Sequence, residues 1–247
     1  MIVKRRNLLL TGGALCTLPM VARANYPGLQ GQDVEISPTT LSLGSPGDTT
    51  ICMVLNNGTE STSSQIRLKL WRQDQGQDVL EDTEDIVASP PFMTIDPGSQ
   101  QVVRIANLGA VPGQYELAYR LLLNELPSQT ALTGTQIQVL LAFSVPLFIA
   151  GEAAAPPNLT ARFADSADGI ALQIANSGDV HAKLSNLSYR SRSGSPVFAI
   201  PGLAGYVLAH SVKNISTRLK EKPAIGGILV SQTQLTSSPT PIELLSD

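Results

Sequence analysis

Gln136-Ile-Gln-Val-Leu-Leu-Ala-Phe-Ser-Val-Pro-Leu-Phe148 is the stretch that organises the chain. One parity of it reads Ile137, Val139, Leu141, Phe143, Val145 and Leu147, an unbroken apolar row. The other opens with Gln136 and Gln138, closes with Ser144 and Pro146, and is apolar only at Leu140 and Ala142 between them. Successive side chains of a strand point to opposite faces, so the pattern predicts a long β-strand with one fully apolar face. Such a strand either closes a core or lies at a sheet edge and offers apolar side chains and free backbone groups to a partner. Periodicity alone leaves both readings open.

The surrounding segments read the same way, as short alternating runs separated by turn residues. Before the stretch come Val34–Ser37, Leu41–Leu43, Thr49–Leu55, Ser64–Arg72, Gln101–Ile105 and Gln114–Asn124. Tyr115, Leu117, Tyr119, Leu121 and Leu123 share a face of the last of these. Asn56-Asn57-Gly58 suits a turn needing positive φ, and Asp96-Pro97-Gly98 is a second turn. The six carboxylates between Asp74 and Asp85 lack the glycine and terminal glutamate of a calcium loop, so a solvated acidic loop is expected there. Trp71, the only tryptophan, is expected in a packing role.

Beyond Ala150-Gly-Glu-Ala-Ala-Ala-Pro-Pro157, a small-residue, proline-closed linker, strands resume. They are Leu159–Phe163, Gly169–Ala175, Ala182–Tyr189, Val197–Ile200, Gly205–Ala209, Ser211–Thr217 and Ile228–Ser231, with a loose tail from Ser237. This all-β pattern, with turn signals about every ten residues, predicts two immunoglobulin-like β-sandwich domains. Lys4, Arg5 and Arg6, the apolar run Leu8–Val21 and Ala22-Arg23-Ala24 make residues 1–24 a cleaved secretory signal. The Arg5-Arg6 pair leaves Sec and twin-arginine export both open. The expected division is 1–24 signal, 25–149 first domain, 150–157 linker and 158–247 second domain. No transmembrane segment is expected in the mature chain.

Composition narrows the function. Removing the leader takes four of 17 bases and none of 20 acids, for a mature charge of about −7. That balance disfavours nucleic acid as a partner. Cys52 is then the only cysteine of the mature chain, within an apolar run, so packing rather than a disulfide must hold the fold. The two histidines, His181 and His210, lie beside turns and are read as surface or satisfied loop residues. Asp179 stands near them, yet no Gly-x-Ser-x-Gly elbow, metal-ligand spacing or phosphate loop is present. The chain reads as a non-enzyme without metal or cofactor.

Trp71-Arg-Gln, Val87-Ala-Ser-Pro-Pro-Phe-Met-Thr-Ile-Asp-Pro-Gly98, Gln101-Val-Val-Arg104, Tyr119-Arg-Leu, Asn124-Glu-Leu-Pro127 and Phe143–Phe148, followed in the second half by Leu172–Gly178, His181–Leu184 and Gly205–Leu208, form an ordered set. In that order they resemble the PapD-like periplasmic chaperones of pilus and fimbrial assembly. The Ser-Val-Pro-Leu-Phe ending resembles the archaic, spore-coat-U-associated branch. The resemblance implies two sandwiches set as an L, pilus or fimbrial subunits and an outer-membrane usher as partners, and periplasmic residence. It also implies donor-strand complementation, in which an edge strand lends apolar side chains to a subunit lacking its last strand. The donor residues would be Ile137, Val139, Leu141 and Phe143. The family's paired arginine and lysine, which hold the subunit's terminal carboxylate, fall at Thr40 and Pro146. The glutamate of its interdomain salt bridge falls at Glu125 and the partner arginine at Ala150. Among the first-domain bases Arg67, Lys69, Arg72, Arg104 and Arg120, the substitute anchor is expected at Arg120 first and Arg104 second. A secreted two-domain adhesin or structural module is the alternative reading, in which the same strand is buried in its own sheet.

Overall fold

The computed structural model describes residues 33–127, 140–151, 154–236 and 238–246. The secretory-signal reading of residues 1–24, and Ile137 and Val139, lie outside the described residues.

The first ten strands are β1 (Val34–Ser37), β2 (Leu41–Leu43), β3 (Thr49–Asn56), β4 (Thr62–Asp74), β5 (Gln77–Asp82), β6 (Ile86–Ser89), β7 (Phe92–Ile95), β8 (Gln100–Asn107), β9 (Leu117–Glu125) and β10 (Ala142–Ile149). They form two sheets. One has the order β1-β3-β8-β6; the other runs β2-β10-β9-β4-β5, with β7 also on β4. Alternation decides what lies between them. Cys52 and Val54 of β3 and Val103 and Ile105 of β8 point inward from the first sheet. Ile66, Tyr119, Leu121, Leu123, Val145 and Leu147 point inward from the second.

The second unit contains β11 (Leu159–Ser166), β12 (Gly169–Asn176), β13 (Ala182–Arg190), β14 (Pro196–Val207), β15 (Ser211–Leu219), β16 (Ile228–Gln232) and β17 (Thr240–Leu244). Their order is β14-β13-β16-β17-β11-β12-β15. Strand β17 joins two layers, pairing antiparallel with β16 and parallel with β11. Phe163, Leu172 and Ile174 from one side meet Leu184, Leu187, Tyr189 and Leu229 from the other. The chain is thus all-β among the described residues, in two immunoglobulin-like sandwiches, as the alternation predicts.

Four local expectations differ from the structure. The acidic segment after Asp74 is not a loop but β5, paired with β4 from Lys69↔Asp82 to Asp74↔Gln77. Its carboxylates pair with bases while staying open to solvent: Asp82 with Lys69 at 2.6 Å, Asp78 with Lys213 at 2.9 Å, and Glu81 with Arg72. The turn is Gln75-Gly76, both at positive φ (49° and 80°), as a tight hairpin requires. Asn56-Asn57-Gly58 carries no positive φ among its residues. There Asn56 does the turning with its side chain, donating to the Glu60 and Ile95 carbonyls and accepting from the Gly58 amide. Val197–Ile200 and Gly205–Ala209 are not two strands but parts of β14, whose register on β13 slips between Leu184↔Gly205 and Ser185↔Leu203. Gly205, at φ 149°, admits that bulge. The tail is anchored through β17, where Ile242 reaches the second core.

Cys52 is fully buried, and burial pushes its thiol up to about 11. Because the thiolate is the nucleophile, Cys52 in the native protein is expected to resist a maleimide at pH 8 and react promptly in denaturant. Mass spectrometry of the peptide containing it reads the result; rapid native labelling would contradict the packing.

Candidate functional site

The site is built from β10 and the two strands beside it. Over its whole length β10 pairs antiparallel with β9, from Ala142↔Asn124 to Ile149↔Leu117. On its other side β2 pairs, parallel, only at Leu147, Phe148 and Ile149. Among the described residues the opposite edge of Ala142–Pro146 is therefore open. An edge strand needs backbone donors on one side only, which is why it accommodates Pro146. Strand β10 is thus paired on both sides at Leu147–Ile149 and, among the described residues, on one side at Ala142–Pro146.

The side chains divide two residues earlier, at Val145. Val145 and Leu147 are buried in the first core, whereas Leu141 and Phe143 are half-buried and pack along its margin. The expected strand beginning at Gln136 is described as β-structure only from Ala142. Just before it, Leu141 is held by Glu125: its amide donates to Oε2 at 3.0 Å, and its carbonyl accepts from the Glu125 amide at 2.9 Å. Thr62 donates to the other carboxylate oxygen at 3.2 Å. Glu125 thus works inside the first sandwich, in keeping with Ala150 standing where the family's partner arginine would be.

Beside the Asp78–Lys213 pair, a second carboxylate crosses between the sandwiches, that of Glu116. It takes the His181 ring Nδ1 at 2.7 Å and the His181 amide at 2.9 Å on one oxygen. The His181 ring stacks on Phe148 of β10, centroids 3.6 Å apart and nearly parallel. Asp179 accepts from the Ala155 amide and pairs with His210 at 2.6 Å, while its carbonyl accepts from Glu116. The two histidines are satisfied residues, but they sit at the junction rather than in ordinary loops. Sequence reading had no pattern by which to find this, because the partners are 65 and 31 residues apart.

Hydrogen bonding from Ala155 and His210 holds the Asp179 carboxyl below its ordinary range. A depressed carboxylate stabilises the fold fully above its unfolded value, near pH 4, and that contribution disappears as pH falls through the lower native value. Asp179→Asn is expected to flatten the acid limb of a stability–pH curve; an unchanged limb would place the acid sensitivity elsewhere.

The junction also has an apolar floor. Trp71, Ala118 and Phe148 from the outward face of the β10-β9-β4 sheet meet Tyr206 and Leu208 of the second sandwich. The Gln73 amide clips this contact, donating to the Tyr206 carbonyl at 2.8 Å and accepting from the Leu208 amide at 3.0 Å. The β4–β5 turn docks on β15, where the Asn214 amide donates to the Gly76 carbonyl at 2.9 Å.

The anchor candidates separate cleanly. Arg120 lies on β9 directly across from Pro146, so a base stands one strand away from the position that lacks one. Its guanidinium lies 3.6 Å over the Trp71 ring and donates to the Ser144 carbonyl at 3.5 Å. Arg104 projects outward from the other sheet, between inward-facing Val103 and Ile105, away from β10. Lys69 and Arg72 are paired with Asp82 and Glu81. Thr40 precedes β2, and no ion pair forms at Ala150.

The fold of two sandwiches is similar to that of solved chaperone structures. One is a chain of the CsuC–CsuE chaperone–tip adhesion subunit pre-assembly complex from the archaic chaperone–usher Csu pili of Acinetobacter baumannii. It is 23% identical with a TM-score of 0.68, covering 87% of this chain and 100% of that one. The E. coli chaperone DraB matches at 16% identity and TM-score 0.58, over 87% and 97%. The Pseudomonas aeruginosa CupB2 chaperone matches at 14% and 0.57, over 85% and 100%. No curated protein matches the chain. Residues 33–154 match the model for the PapD N-terminal domain of the pili and flagellar-assembly chaperones, and this part of the chain belongs to that family.

Proposed function

We propose that the protein is a periplasmic chaperone of the archaic chaperone–usher branch that captures pilus or fimbrial subunits by donor-strand complementation. It then delivers them to an outer-membrane usher. The observation that carries this reading is the open edge at Ala142–Pro146, continuous in sequence with the apolar row of Ile137, Val139, Leu141 and Phe143. A subunit lacking its last strand gains backbone bonds along that edge and apolar side chains for its groove. Each side chain so buried contributes about 1.5–3 kcal/mol, so three or four hold a subunit without catalysis or nucleotide. Arg120 receives the subunit's terminal carboxylate, one strand over from Pro146. Residues 1–24 serve as the export signal, 25–149 as the donor-strand domain, 150–157 as linker and 158–247 as the second domain. Among the described residues no helix is long and apolar enough to cross a membrane.

Co-purification of the tagged chain from a periplasmic extract tests the reading. A small β-rich subunit, released only under denaturing conditions, is the expected companion. Recovery of the chain alone, in cells that make pili, would overturn the proposal.

A further inference from the structure

Arg120 sits in a corner made by two aromatic rings from different sandwiches. The guanidinium lies 3.6 Å from the Trp71 ring centroid and 5.3 Å from that of Tyr206. The rings themselves meet edge-on, 5.6 Å apart at 77°. Trp71 comes from β4 of the first sandwich and Tyr206 from β14 of the second. Both are buried, at 2% and 6% exposure, so neither wall is free to swing. The backbone carrying Tyr206 is itself fixed by the Gln73 amide.

An arginine has five N–H donors in a planar fork. The described contacts use one of them, at the 3.5 Å limit to the Ser144 carbonyl. Among the described residues no carboxylate pairs with Arg120; the nearby Asp78 is taken by Lys213 and Gln73. Stacking restrains the plane of a guanidinium without consuming its donors. The corner therefore does what a bidentate carboxylate site needs: it orients the fork and leaves it free. Burial lowers the affinity of Arg120 for its proton, though the group stays charged, and it reduces the water competing for the fork.

We infer that Tyr206, acting with Trp71, is a positioning residue for Arg120, so that recognition of a subunit's terminal carboxylate requires the second sandwich to be docked on the first. This rests on the proposed subunit-capture reading. It extends it by making carboxylate recognition a property of the joined sandwiches rather than of the donor-strand domain alone.

The test uses the full chain and the subunit that co-purifies with it, made once with its native C-terminus and once with Gly-Ser appended, which moves the carboxylate. The wild-type chain is expected to prefer the native terminus roughly tenfold or more, the scale of a charge-assisted contact. Arg120→Ala removes the preference. Tyr206→Leu, which keeps bulk but not the ring face, is expected to reduce the preference to about twofold or less, and Tyr206→Phe to retain it. A merely structural role would weaken both subunit forms equally and leave their ratio unchanged. If Tyr206→Leu folds and keeps the wild-type ratio, the inference fails while subunit capture stands. If Tyr206→Leu does not fold, Gln73→Ala, which frees the Tyr206 backbone, must lower the ratio or the inference fails likewise. If Arg120→Ala keeps the preference, the anchor assignment fails, and if no subunit is captured the proposed function falls, each taking this inference with it.

Discussion

Leu141→Ser is expected to weaken subunit capture roughly ten- to a hundred-fold while leaving the free protein folded. Leu141 is half-buried at the margin of the first core, outside the regular strand, and its tie to Glu125 runs through its backbone. The substitution keeps that tie and exposes little new cavity. The loss falls instead on the apolar surface offered to a partner. Titration of the co-purifying subunit against wild-type and variant chains measures the effect, with thermal unfolding as the control. Wild-type affinity in a folded variant would contradict the donor-strand reading. A collapse in thermal stability would favour the adhesin-like alternative, in which the strand is structural throughout.

Leu147→Ala, six residues along the same row, is expected to do the opposite. Its side chain is fully buried, and its backbone is paired with Tyr119 on one side and Leu41 on the other. Removing three carbons there leaves a cavity between packed sheets, at a cost of about 2–5 kcal/mol. Domains of this size are stable by roughly 5–15 kcal/mol in total, so the loss is a large fraction of the reserve. Urea unfolding followed by circular dichroism reads it directly. A variant with an unchanged midpoint would mean that Leu147 is not part of the core. Taken together, the two substitutions separate the partner-facing half of the row from the half that holds the fold.

Much of this was legible from residue order. Alternation in Cys52/Val54, Val103/Ile105 and Leu121/Leu123 predicts the sheets and the inward faces, because a period of two leaves no other way to bury those side chains. What escaped were contacts in which a polar segment is rescued by something distant. The acidic run after Asp74 looks like a loop until Lys69, Arg72 and Lys213 are brought to it. Asp78 shows the balance: burial pushes its carboxyl up, but the hydrogen bonds from Lys213 and Gln73 outweigh that and hold it down. The tail looks loose until β16 and β11 present their edges to it.

The candidate site divides along the same line. The apolar row from Ile137 to Leu147 is a local property of the sequence, since hydrophobic alternation depends only on neighbours two apart. Which part of β10 is paired on both sides depends on where β2 stops, a fact about a strand roughly a hundred residues earlier. Glu116, which the sequence did not single out, carries an interdomain contact because the residue preceding β9 reaches His181. Arg120 stood out in the sequence as one of a few bases, on the strand expected beside the organising stretch. Its corner between Trp71 and Tyr206 exists because two sandwiches, joined by Gln73 and Glu116, bring together rings 135 positions apart in the chain. Local order alone determined the all-β character and the apolar row. Edges, junctions and seats for charge are made by long-range pairing, and only the tertiary structure decided them.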